Sequence, residues 1–160
     1  MIANLSVRSL DEKITAIAES HGLVYSRYAD DLCLSTRRTE FTRAEAAKVI
    51  GKVYDLMGSF GFSPNLTKTH VLPPGSRKIV LGLLVDGPYP RLTREFRAKL
   101  RMHLYYLESL GPVAHQRNRK FISVRSLRNH IEGLVHFAHH IDAKFAQSCK
   151  AKLATINWPL

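Results

Sequence analysis

The sequence predicts an α+β fold, and three observations lead there. Two apolar, strand-forming runs, Leu23–Tyr28 and Leu32–Ser35, meet at a sharp break that carries two adjacent acids. Segments with apolar residues at helical spacing stand on both sides of that pair of runs. Beyond Pro90 the chain changes to short basic helical patterns, which marks a candidate boundary between residues 1–89 and 90–160. At 160 residues and 45% hydrophobic, it can bury one core or two small ones.

Taken in order, residues 2–20 are predicted as an amphipathic helix. Ile2, Leu5, Leu10, Ile14 and Ile17 fall near one face, Arg8, Asp11, Glu12 and Lys13 lie largely off it, and Gly22 suits its stop. Ala29-Asp30-Asp31 then sits where a tight reversal is expected, so Leu23–Ser35 reads as a β-hairpin with carboxylates at its tip. A solvated turn accounts for one Asp well. It accounts for two less well, because adjacent like charges repel unless a cation sits between them. Thr42-Arg43-Ala44-Glu45 is a capping box, opening a helix to about Phe60 with Ala46, Ile50, Val53 and Met57 as its buried stripe.

The segment Gly61–Thr69 is a loop, and Arg77–Pro88 reads as a strand and turn whose apolar run suits a core. Thr93 is expected to cap a helix carrying Phe96, Leu100, Leu104 and Leu107, ended by Gly111-Pro112. A basic linker, Gln116–Lys120, leads to a helix from about Val124 with Leu127, Ile131, Leu134 and Val135 inside. Asp142 can cap the last helix, which carries Phe145, Cys149 and Leu153.

Charge narrows the partner. The chain has 24 Lys+Arg against 13 Asp+Glu, a net charge of +11, with a pI near 10.0. The excess is lopsided: residues 1–89 carry +2 and residues 90–160 carry +9. Such a surface suits a polyanion, nucleic acid before acidic membrane. Two unpatterned cysteines, Cys33 and Cys149, argue against a disulfide framework and fit a reducing, cytoplasmic setting. No signal peptide or long apolar span appears, so a soluble chain without a membrane partner is expected. His136, His139 and His140 have helical spacing, but no Cys or carboxylate follows at a finger-like interval, and Cys149 reads as packing.

Tyr28-Ala29-Asp30-Asp31 within Val24–Asp31 resembles the catalytic box of reverse transcriptases, closest to the bacterial retron and group II intron type. Ile2-Ala3-Asn4-Leu5 resembles the end of that family's template-contacting segment, without the Gln-Gly and Ser-Pro that normally precede it. Asn65 and Lys68 resemble residues bordering the nucleotide site, although Lys68 also reads as an ordinary exposed lysine. Val80-Leu81-Gly82-Leu83 resembles the strand that grips the primer end, a role compatible with a core strand that presents its other face. Ser126–Val135 resembles the start signature of a thumb helix.

The resemblance implies a partial polymerase palm over 1–89 and a small helical thumb over 90–160. It implies two Mg²⁺ ions (or Mn²⁺ in their place) at Asp30 and Asp31, with Tyr28 beside the primer end. It further implies dNTP at Asn65 and Lys68, and a primer grip at Leu81, Gly82 and Leu83. An RNA template and RNA/DNA duplex would lie along Arg94, Arg97, Arg101, Arg117, Arg119, Lys120, Arg125 and Arg128. The family pattern also has an essential Asp on an earlier strand, followed by an aromatic that excludes the ribose 2′-hydroxyl. Neither is found here, and Asp11 and Glu12 sit on a predicted helix and cannot be promoted. The expected activity is therefore RNA-directed DNA polymerisation, with an N-terminal segment or partner chain supplying the missing acid. Two other readings stay open: a non-catalytic nucleic-acid-binding component of a defence assembly, and a basic membrane-surface or acidic-protein binder.

Overall fold

The computed structural model describes residues 5–159. Ile2, and with it most of the Ile2–Leu5 segment, lies outside them. Among the described residues there are five helices and two small antiparallel sheets, an α+β architecture. The chain divides into two compact units, the first ending at Gly75 and the second beginning at Ser76.

In the first unit, helix α1 (Arg8–Ser20) precedes strands β1 (Val24–Tyr28) and β2 (Asp31–Ser35), and α2 (Arg43–Ser59) follows. The strands pair antiparallel from Val24↔Ser35 to Tyr28↔Asp31. Side chains alternate across them, so Tyr25, Leu32 and Leu34 turn inward against Leu10, Ile14, Ala18, Val49 and Val53. Val24 and Tyr28, on the opposite parity, are 67% and 68% exposed. The capping box forms as predicted: Thr42 Oγ1 accepts from Glu45 N–H, and Glu45 accepts from Thr42 N–H. The stripe of α2 is centred on Ala46, Val49 and Val53, one residue round from the predicted line through Ile50. A 3₁₀ turn, Leu66–Lys68, follows α2.

The second unit opens with three two-residue strands, β3 (Ile79–Val80), β4 (Leu83–Leu84) and β5 (Arg91–Leu92), hydrogen-bonded in that order. The predicted single strand is therefore a hairpin. Leu81 (φ 50) and Gly82 (φ 78) reverse the chain with positive φ at both central positions, the geometry that matches strand twist in two-residue loops. Three helices complete the unit: α3 (Arg94–Asn118), α4 (Val124–Ile141) and α5 (Ala143–Ala154). Thr93, Ser123 and Asp142 cap their starts, each accepting a backbone N–H through its side chain. Leu100, Leu104, Leu107, Leu127, Ile131, Val135, Cys149 and Leu153 form the core. Each fully buried aliphatic side chain there contributes about 1.5–3 kcal/mol.

The expected stop at Gly111-Pro112 is a break within α3. Gly111 (φ 78, ψ 165) takes a conformation reserved to glycine, and Pro112 opens a second helical segment in which its missing N–H costs nothing. Gln116–Asn118, read as linker, are that segment's last turn. On an unbroken helix His103 and His115 would stand about 18 Å apart along the axis. The break brings their ring centres within 5.2 Å.

Candidate functional site

At the tip of the first hairpin, Ala29 and Asp30 form a two-residue loop between Tyr28 and Asp31. Ala29 holds φ 52, a left-handed conformation uncommon for a residue with a Cβ. Asp30 and Asp31 are exposed, and among the described residues neither carboxylate has a hydrogen-bond or ion-pair partner. Tyr28 pairs across the strands with Asp31 on the exposed face.

Arg27 is the cation nearest in sequence, and its guanidinium is committed elsewhere. Nε donates to Asp11 Oδ1 (2.8 Å), Nη2 donates to Asp11 Oδ2 (2.7 Å), and Nη1 donates to the carbonyl of Ala29 (2.7 Å). Tyr25 Oη also donates to Asp11 Oδ1, at 2.7 Å. The pair is partly buried, with side-chain exposures of 14% for Arg27 and 28% for Asp11. Arg27's hydrogen bonds hold the Asp11 carboxyl below its ordinary range, and burial pushes the Tyr25 hydroxyl far up. Asp11 is thus a clamp that ties helix α1 to the hairpin and to the backbone of its loop. Sequence reasoning placed Asp11 off the apolar face but missed this partner. The available signal was Arg27 on the inward parity of β1, where a charge needs a counter-ion.

Two hard, unpaired oxygen donors on one turn suit a divalent cation of the Mg²⁺ kind, which takes only one or two protein carboxylates and completes its shell with water and phosphate oxygens. Among the described residues no third His, Cys, Asp or Glu joins them in a metal-holding group, and none forms at His136, His139 and His140 either. There, His136 Nε2 and His140 Nε2 lie 3.3 Å apart on exposed rings.

Asn65 caps the 3₁₀ turn, its Oδ1 accepting from Thr67 N–H (3.2 Å) and Thr67 Oγ1 (2.8 Å). Thr69 Oγ1 donates to the Asn65 carbonyl (3.2 Å) and accepts from Tyr54 of α2, so the loop carrying exposed Lys68 is tied to the helix. Leu81 and Gly82 are the exposed tip of the β3–β4 hairpin, and Leu83 is half-buried behind them.

The predicted basic residues separate into groups. Arg94, Arg97 and Arg101 share a cleft of about 490 Å³ with Leu84, Leu92 and Ala98. Within it Arg97 is held by Asp142 (2.6 Å) and lies over the Phe145 ring, as Arg101 does. Arg128 is paired with Glu132 (2.8 Å) and stacked near Trp158. Arg119 and Lys120 line a second cleft of about 310 Å³, while Arg117 and Arg125 are exposed in neither. No helix among the described residues is long and apolar enough to cross a membrane.

No family model matches the chain. Among curated proteins it is 29% identical to Retron Mx162 reverse transcriptase of Myxococcus xanthus, over 98% of this chain and 33% of that protein. It is 28% identical to Retron Ec86 reverse transcriptase of Escherichia coli, over 89% of this chain and 39% of that protein. Retron Se72 reverse transcriptase of Salmonella heidelberg is 32% identical, over 74% of this chain and 31% of that protein. The chain is related to the retron reverse transcriptases. It matches the C-terminal portion of these retron relatives and spans well under half the length of each.

Proposed function

We propose that this chain is the C-terminal part of an RNA-directed DNA polymerase of the retron type. The observation that carries the reading is the exposed, unpaired Asp30–Asp31 pair on a clamped hairpin loop. Strands and helices up to residue 89 act as the palm-like part, and the helical region from residue 90 acts as the thumb.

Asp30 supplies the direct metal-ligand oxygens, with Asp31 assisting. A Mg²⁺ pair held there would supply Lewis acidity toward a primer 3′-hydroxyl and a leaving pyrophosphate. Tyr28 supports the primer end, Asn65 and Lys68 border the nucleotide, and the Leu81–Leu83 turn approaches the primer backbone. Arg94, Arg101, Arg117 and Arg125 hold the phosphates of an RNA/DNA duplex without reading its sequence.

Since no third acid joins the pair among the described residues, the 160-residue chain alone is expected not to extend a primer. A longer polypeptide or partner chain that brings a further carboxylate would restore extension. The test is Mg²⁺-dependent primer extension on an RNA template, with the chain alone and with such a partner. Activity appearing only with the partner, and abolished by Asp30→Asn, supports the proposal. Extension by the chain alone, or persistence in Asp30→Asn, overturns it.

A further inference from the structure

The second cleft gathers Lys99 and two histidines beside Arg119 and Lys120, two of the residues expected along the duplex. Lys99, His103, Asn118, Arg119, Lys120 and His130 line about 310 Å³ with no carboxylate among the lining residues. The side chains of Lys99, Arg119 and Lys120 have no ion-pair partner among the described residues. His103 is 1% exposed, and its Nδ1 is engaged by His115 Nε2 at 2.9 Å. That leaves His103 Nε2 buried without a partner, a cost that native interiors rarely carry. Lys120 has a left-handed backbone at φ 57 just past the helix end, and it and Arg119 both line the cleft.

We propose that this cleft is a seat for a phosphate group carried by a nucleic acid. Three cations without ion-pair partners among the described residues, and the Asn118 amide N–H, supply donors with no carboxylate against them, and phosphate oxygens are acceptors. A C-terminal helix end explains basic residues at 119 and 120 through its dipole. It does not explain Lys99, which lies in the body of α3, or the orphaned imidazole nitrogen. The cations now work against the histidines. Burial first, then His115, His130, Arg119 and Lys99, hold the His103 pKa down to about 4, and burial with Lys99 and Arg119 lowers that of His130. A bound phosphate reverses that field. The proposal rests on the nucleic-acid reading of Arg119 and Lys120 only for the source of the phosphate.

The experiment is an imidazole-detected NMR titration of the full chain with inorganic phosphate, against chloride at equal ionic strength. Phosphate should raise the apparent pKa of His103 and His130 by about one unit, a tenfold gain in affinity for the protonated rings. His136, His139 and His140 serve as exposed internal controls and should not move. Equal effects of chloride, or equal movement of the controls, overturn the seat. The response should vanish in Lys99→Gln/Arg119→Gln, whose folding is checked by the unchanged spectrum of the core methyl groups. A response that survives there also overturns it.

A second arm separates the sources with 5′-phosphorylated and 5′-hydroxyl oligonucleotides. A larger shift with the former assigns a terminal phosphate, and equal shifts assign a backbone diester. If inorganic phosphate moves the histidines and neither oligonucleotide does, the nucleic-acid source is wrong. If oligonucleotides bind while His103 and His130 stay still, nucleic-acid binding stands and the seat falls.

Discussion

Acidification should destabilise the helical unit through His103, and the size of the effect follows from its surroundings. The ring is 1% exposed, packed between His115 on the far side of the Gly111 break and His130 on α4. Its pKa is held down to about 4 in the folded state, against about 6.5 when the chain is unfolded. A depressed histidine pKa means that the unfolded chain binds the extra proton first. Stability is therefore full above pH 6.5 and declines as pH falls, the loss levelling off below about pH 4. With those two values the loss between pH 7 and pH 5 is about 2 kcal/mol, and the complete loss is about 3 kcal/mol. His115 and His130 are shifted in the same direction and steepen the decline.

Trp158 is the only tryptophan and belongs to the helical unit, so its fluorescence reads the unfolding of that unit. Urea titrations at pH 7, 6 and 5 give the slope for the native chain and for His103→Phe. The variant loses baseline stability because His115 Nε2 loses its partner, but its pH slope should be shallower by about 2 kcal/mol over that range. Equal slopes in the two proteins would refute the reasoning.

Three further outcomes are expected. Arg27→Ala should destabilise the hairpin unit by about 2–3 kcal/mol, because it leaves Asp11 partly buried without its bidentate partner; hydrogen exchange of the β1 and β2 amides reads this locally. The lowered Asp11 pKa works in the same unit, with its stabilisation present at neutral pH and lost as pH falls through that lowered value. Gly111→Ala should cost about 1–3 kcal/mol, since φ 78 and ψ 165 admit only glycine although nothing crowds the position; thermal unfolding followed by Trp158 measures it. Duplex binding should weaken steeply with salt, and Arg94→Gln with Arg101→Gln should flatten the log–log slope by about 1 per residue. A slope that does not change would remove those two side chains from the interface.

Local rules were readable where one residue suffices to satisfy one backbone group. Thr42, Thr93 and Asp142 stand before helical patterns and do cap them, because a short side-chain acceptor next to free N–H groups has few better options. The first hairpin was equally plain, since alternation and a charged break agree on register. The second was hidden, because Val80-Leu81-Gly82-Leu83 is apolar throughout and Leu81 is a poor sign of positive φ. The imidazole cluster could not be seen at all. Separations of 12 and 27 residues from His103 share no helical face with it, and only the break at Gly111 turns the first into a contact.

Arg27 shows why the two acids at the hairpin tip stand apart from the surrounding charge. A basic chain with a net charge of +11 would be expected to neutralise exposed carboxylates with whichever cation lies nearest. Here that cation faces the other side of the strand, spending Nε and Nη2 on Asp11 and Nη1 on the loop carbonyl of Ala29. The same arginine thereby holds the loop and withholds its charge from Asp30 and Asp31. The inward bond to Asp11 serves stability, and it leaves the repulsion between the two acids at the tip unrelieved. Moving the cation tests this directly: Ser26→Arg, on the exposed parity two residues before Tyr28, should leave the fold intact, weaken Mg²⁺ binding and reduce reconstituted extension. Undiminished activity in that variant would mean that freedom from a nearby cation is not what the tip requires.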